Sequence, residues 1–371
     1  GNLNGKASTL TTTSTAGLAV GMTVSGTGIP KGTVIISIDN GTQFKVSGDA
    51  SGVAASTTLT FSQAPTLVLT GSTVPGSFDP IGSAKVVLAG GNLVLDSKGG
   101  AGAVTTFGNA VDVNSDAVIQ DVANAVSVTL GGAVTIASGK TLVLDAIAGG
   151  QPVADVGANL IVSGGITGDA TTSLVIRSTP KNAGTTISAI NALATGVVQQ
   201  TGFASQSGTV SLSGNNSGFA GQLVFEPGAN LRVLGVSALN NKTFTMAGGT
   251  LQLLDDGNGT GGLQNLAFNH NITVTGNVTL TAGPVSTAIS PFYTPPANKR
   301  AVISSLSVGN RNVTVANNNG YGLRVSGVTT LTGAPTFTVN NATTSNNLVQ
   351  GLDLAGQVTG VGSILKNGGG T

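Results

Sequence analysis

Apolar and polar residues alternate with period two along nearly the whole chain. Thr66-Leu67-Val68-Leu69-Thr70, Lys85-Val86-Val87-Leu88, Asn92-Leu93-Val94-Leu95-Asp96 and Ser127-Val128-Thr129-Leu130 each place their apolar side chains on one face, as half-buried strands do. The same reading holds for Lys140 to Leu144, Asn159 to Ser163, Thr209 to Ser213, Thr250 to Leu254 and Asn271 to Leu280. Gly-Gly, Ser-Gly, Asn-Asn and Asp-Gly pairs separate these runs and supply turn chemistry. Helical periodicity is nearly absent. Ala189-Ile190-Asn191-Ala192-Leu193-Ala194 is the one short helix the pattern offers.

Short strands with a turn about every 8–12 residues fit a β-solenoid or an array of tandem β-sandwiches. Three features favour the solenoid. Small residues close each strand, as the corners of a tight coil require. Aromatics, the usual filling of a sandwich, are only 4% of the chain. Thr, Asn and Ser stand at many strand positions, where successive coils can stack them in ladders. The predicted fold is therefore all-β, with a solenoid of about 10–14 coils, or about 50–70 Å at the usual strand spacing. Residues 1–63 read differently. Leu18 to Pro30, Gly32 to Asp39, Phe44 to Gly48 and Ser56 to Phe61 suggest about five short strands, enough for a small β-roll or barrel. The expected organisation is a small β-domain at 1–63 and a solenoid at 64–371, interrupted by a Pro-rich insertion near 290–300.

Composition narrows the chemistry. The 371 residues include 57 Gly and no Cys or Trp; 40% are hydrophobic and only 8% charged, against about 25% in an ordinary domain. That apolar content is enough to fold, and it predicts thin layers of Val, Ile and Leu as the core, not packed aromatics. Without Cys there are no disulfides and no thiolate metal sites. The net charge is +1, and the 15 Lys and Arg are scattered, so no cluster suits nucleic acid. No apolar run reaches the ~18 residues of a membrane-spanning helix. The first twenty residues lack a charged segment followed by an apolar one, so a signal peptide is expected to be absent or already removed.

Candidate sites are few. Asp112, Asn114 and Asp116 alternate and would share one face of a strand with Asp121 close by, a layout that would suit a metal-dependent lyase. No basic residue lies near them in sequence, and a solvated face explains them as well. Asp255-Asp256, in a Gly-rich stretch, offers hard oxygen ligands for Ca²⁺ but matches no EF-hand or calcium-roll spacing, so it reads as a solvated turn. His270, the single histidine, has no partner identifiable from sequence and reads as a turn or ladder residue. Gly26-Thr27-Gly28 is followed by Pro30 and a strand pattern, not a helix, so it reads as a turn and not a phosphate loop. Catalytic residues, metal ligands and cofactors are all expected to be absent. Ser290 to Arg300 holds three Pro, two aromatics and two cations. It is expected to loop out of the wall, and Phe292, Tyr293 and Arg300 are the candidate contact residues, being of types enriched at interface hot spots.

Gly208-Thr209-Val210-Ser211-Leu212-Ser213-Gly214-Asn215-Asn216-Ser217-Gly218-Phe219-Ala220-Gly221, continued by Gln222 to Val233 and by Met246-Ala247-Gly248-Gly249-Thr250-Leu251-Gln252-Leu253, resembles the autotransporter-associated β-strand repeat of bacterial surface proteins. The likeness covers about residues 85–280 and the last ten. It implies a right-handed parallel β-helix outside the cell, at the bacterial surface, in an adhesin, coat or fibre. The chain departs from that family in showing no C-terminal membrane barrel with its terminal aromatic, which speaks against a self-secreting autotransporter. The expected function is that of a non-catalytic structural subunit of a surface fibre, filament or layer. An adhesin recognising a cell-surface glycan or protein is the alternative, and a polysaccharide lyase or hydrolase comes last. Gly362 to Thr371 looks like the start of a further repeat with no charged or helical cap, so end-to-end self-association is the expected partnership.

Overall fold

The computed structural model describes residues 8–18, 22–30, 33, 35–46, 50, 53–54, 57–62, 66–70, 76–77, 81, 83–96, 104–121, 127–146, 159–178, 184–187, 190–191, 195–199, 209–216, 218–219, 222–225, 227–239, 241–258, 262–285, 298–340 and 351–370. The described residues are all-β, with strands and turns and no helix. Ile190–Asn191, where the pattern offered a helix, is a strand; Ala189 and residues 192–194 lie outside the described residues. Two compact units emerge, one of residues 1–185 with 199–208, the other of 186–198 with 209–371.

The first unit opens with antiparallel pairing. Ser8–Thr11 and Ile35–Asn40 flank Gln43–Val46, and Thr23–Ser25 pairs with Thr60–Ser62. Val24, Ile35, Phe44, Val46 and Ala50 form a core of their own, with Phe61 edge-on to Phe44 at 5.5 Å. From Thr66 onward every strand pairing described is parallel, and the chain winds as a parallel β-helix with three walls. One wall stacks Thr66–Thr70, Gly91–Asp96, Ala117–Asp121, Thr141–Ala146 and Ser173–Ser178. A second stacks Gly76–Ser77, Val104–Phe107, Ser127–Leu130 and Asn159–Val162. A third stacks Val86–Leu88, Val111–Val113, Val134–Ile136 and Ile166–Thr167. Period-two alternation puts every second residue inside. In-register stacking then turns those residues into columns, such as Leu93, Ile119, Leu144 and Ile176.

The second unit repeats the plan. One wall stacks Gln222–Phe225, Thr243–Met246, Asn271–Val274, Ser305–Val308, Thr329–Leu331 and Val358–Gly360. Another stacks Thr209–Leu212, Asn230–Leu234, Thr250–Leu254, Val278–Gly283, Asn312–Ala316, Thr336–Asn340 and Leu365–Asn367. The third wall, Gln264–Ala267, Lys299–Ile303, Gly322–Val325 and Leu352–Leu354, enters only after the turns at Gly235 and Asp255. Leu231, Leu251, Leu280, Val315 and Val339 form one buried column. The core departs from the expected aliphatic layers, because Phe219, Phe225, Phe244, Phe268, Tyr321 and Phe337 are among its largest fully buried side chains. The chain's few aromatics go inside because an inward position in a coil is closed above and below by its neighbours.

The corners explain the glycine content. At one corner a Cβ on Gly164 would lie 2.1 Å from the carbonyl oxygen of Gly132, whose own Cβ would lie 2.1 Å from that of Asn109. Backbones of consecutive coils touch there, and no side chain fits between them. Elsewhere Asn takes the left-handed corner, at Asn241, Asn269, Asn298 and Asn319, the residue type that tolerates it best after Gly.

Candidate functional site

The acidic trio does not assemble on one strand face. The strand ends at Val113, so Asn114 and Asp116 turn the corner instead of continuing the alternation. Asp112 faces outward and pairs with Lys85, 2.9 Å away and one coil back, a base that linear sequence did not place beside it. An Oδ1 of Asp116 accepts the backbone N–H of Thr141 on the next coil at 2.9 Å. Asp121 points inward, fully buried between Leu95 and Ala146 in its column.

His270 is fully buried inside the second unit. Its Nδ1 accepts the N–H of Lys242 at 3.3 Å, and its ring lies 4.5 Å from Phe244 and 5.9 Å from Phe268. Burial, with a smaller contribution from the Lys242 charge, pushes its pKa down to about 3, so the ring is neutral at pH 7. It stands between the left-handed corner residue Asn269 and the strand Asn271–Val274, where its ring fills the core and accepts one hydrogen bond.

The Gly26–Pro30 segment is a turn: Ile29 N–H donates to the Gly26 carbonyl at 3.1 Å, and Gly28 takes φ +84°. The Asp255-Asp256 turn is more elaborate than a solvated loop. Asp255 accepts the N–H of Val236 at 2.7 Å through Oδ2 and that of Gly257 at 2.6 Å through Oδ1, while its carbonyl accepts the buried Tyr321 hydroxyl at 2.9 Å. Asp256 Oδ1 accepts the N–H of Val285 at 2.9 Å. These carboxylates tie neighbouring coils together through the backbone. Among the described residues no three His, Cys, Asp or Glu side chains gather to hold a metal.

Beside that turn lies a residue the sequence did not single out. Lys299 starts a strand of the third wall, shares the inward parity of Ala301 and Ile303, and is fully buried. Its Nζ donates to Asn258 Oδ1 at 3.2 Å and to the Gly262 carbonyl at 3.0 Å. Of the three candidate contact residues, Phe292 and Tyr293 lie outside the described residues. Arg300 does not loop out; it sits in the strand beside Lys299, in register with Asn265 and Gly322. Arg300 and Arg324 converge on Asp353, at 4.0 and 3.5 Å. The three groups form a braced patch on one wall.

The outer faces carry the most extended regularity. On one wall of the second unit Thr245, Thr273, Ser307, Thr330 and Thr359 follow each other in register, and on another Asn230, Thr250, Thr279, Thr314, Thr338 and Asn367 do so. Hydrogen bonds run across coils within these faces, from Ser305 Oγ to Asn271 Oδ1 at 2.7 Å, Gln252 Nε2 to Asn230 Oδ1 at 2.9 Å and Thr338 Oγ1 to Asn312 Oδ1 at 3.1 Å. No known protein family, curated protein or solved structure matches this chain.

The described residues of the coil at 352–370 are mostly exposed. Val361 is 80% and Leu365 59% accessible, and Val358 and Ile364 are exposed as well. Lys366 stands in register with Phe337, at the foot of the inward column Val278, Val313 and Phe337, and its Nζ donates to the Gly368 carbonyl at 2.7 Å.

Proposed function

We propose that this chain is a non-catalytic structural protein of a bacterial cell surface, part of a fibre, filament or layer built by stacking coil on coil. The observation that carries the proposal is the laddered construction of both units. Inward columns of Leu, Val and Ile repeat in register from coil to coil in both units, the second unit adds outward columns of Thr, Ser and Asn, and Asp112, Asp116, Asp255 and Asp256 are occupied as braces between coils. Buried apolar columns supply cohesion at about 25 cal/mol per Å². The ladder hydrogen bonds fix the register between one coil and the next. The resemblance to autotransporter-associated repeats points to the same extracellular setting.

Within this reading the molecule associates through the coil at 352–370, whose exposed Val358, Val361, Ile364 and Leu365 a further coil would bury, whichever polypeptide supplies it. The test is to follow the purified chain by sedimentation and negative-stain microscopy across a concentration series. Rods that lengthen with concentration are expected. A monomer at every concentration would exclude self-association through this edge, and release of reducing ends from any polysaccharide would exclude the non-catalytic reading.

A further inference from the structure

We propose that Lys299 and Asn258 form an intramolecular isopeptide crosslink, joining Lys299 Nζ to Asn258 Cγ with loss of ammonia. Three observations place the two groups for it. Lys299 is fully buried on an inward position, so its ammonium-bearing chain is confined and aimed at the turn above it. Its Nζ already touches the Asn258 carboxamide oxygen at 3.2 Å, and the Gly262 carbonyl, at 3.0 Å, holds it from the other side of the same turn. The turn is itself clamped: Gln264, the register partner of Lys299 on the preceding coil, accepts the N–H of Asn258 at 3.0 Å, and Asp255 accepts that of Gly257 at 2.6 Å. Both reacting groups are therefore held at contact distance by separate elements, the arrangement that turns a slow bimolecular amidation into an intramolecular one.

The chemistry balances without any added oxidant or cofactor. The Lys299 ammonium gives up one proton, which the departing ammonia finally carries off as ammonium, and the lone pair so exposed forms the new C–N bond at Cγ. The tetrahedral centre then expels Nδ2. A second proton shed by Nζ moves to the departing nitrogen, which leaves as ammonia, and a secondary amide remains. The product would close the 41 residues of separation between Asn258 and Lys299 into a covalent ring spanning the third wall and the Pro-rich segment.

The test is intact mass measurement of the full chain, followed by digestion and fragmentation of the peptides. The expected result is a mass lower than that of the sequence by one ammonia, together with a branched peptide joining Lys299 to Asn258. Both should vanish in Lys299→Arg, and equally in Asn258→Ser, which removes the reacting carboxamide but leaves the Lys299 bond to the Gly262 carbonyl in place and so stands in if the buried substitution fails to fold. An unreduced mass in the full chain would overturn the proposal. So would a loss of ammonia confined to a linear peptide, because a succinimide at Asn258-Gly259 gives the same mass without a branch.

Discussion

His270 and Phe244 lie ring against ring, centroids 4.5 Å apart and planes inclined by 42°, inside the second unit. Phe225 continues the contact on the next coil, 5.5 Å from Phe244. The imidazole occupies an aromatic position in this stack, and its neutrality is a condition of the packing.

Acid should therefore unfold the second unit through this residue. The folded-state pKa is lowered to about 3 from an ordinary 6.5, so the unfolded chain binds the extra proton first. Stability is complete above pH 6.5 and falls as the pH drops toward 3, by up to about 4 kcal/mol at 1.36 kcal/mol per unit. Asp169, whose pKa is lowered mainly by its hydrogen bond from the Thr171 hydroxyl, loses its contribution only at still lower pH, near and below 3.8. Denaturant melts at pH 7, 5.5 and 4.5 should show the loss, and His270→Phe should remove most of it over that interval. An unchanged slope in the variant would assign the acid sensitivity elsewhere.

Corner glycines should tolerate no side chain where coils touch. A Cβ on Gly276 would sit 1.9 Å from the Ala247 carbonyl oxygen, a backbone atom fixed by the wall below. Gly276→Ala should cost about 1–3 kcal/mol or more, the range for overpacking. Gly108→Ala, with nothing within 4 Å of its added Cβ, should stay within about 0.5 kcal/mol of the parent. Equal melting temperatures for the two variants would mean that the corner relaxes freely.

What could be read in advance followed from period. Thr66–Thr70, Ser127–Leu130 and Thr250–Leu254 are strands over the residues their alternation indicated, because period two is a local property. Contacts between coils were not legible. Lys85 lies 27 residues from Asp112, and Lys299 lies 41 from Asn258. The number of residues in a coil is irregular: Leu223 meets Phe244 after a coil that holds only the strand Asn230–Leu234 between them, whereas Asn271 meets Ser305 only after the Pro-rich segment. Without a fixed repeat no sequence offset tells which polar residues become neighbours. The partners of His270 were hidden for a related reason, since only the register shows Phe244 and Phe268 closing around it.

Asp255 should matter to stability through the backbone and not through metal. Its two oxygens accept N–H groups from Val236 and Gly257, hydrogen bonds to a charged group that each contribute about 1.5–3 kcal/mol when buried and less at this half-buried site. Asp255→Ala should destabilise the second unit by about 2 kcal/mol, while chelator leaves the melting temperature of the parent unchanged. A large fall in chelator would instead mean that a cation shares the turn.

Lys366 should govern how readily the exposed coil takes a partner. The column above it, Val278, Val313 and Phe337, is buried and apolar, so the next inward position would continue the core if it were apolar too. The ammonium there makes a partner coil either leave Lys366 in water or desolvate it, and desolvating an unpaired charge costs several kcal/mol. The surrounding Val361 and Leu365 favour association, so the cation and the apolar rim act in opposite directions. Lys366→Val should shift the chain toward longer assemblies at a given concentration, and Val361→Glu with Leu365→Glu should shift it toward monomer. Sedimentation velocity at matched concentrations checks both. If neither substitution changes the distribution, the coil at 352–370 is not the surface through which the molecules meet.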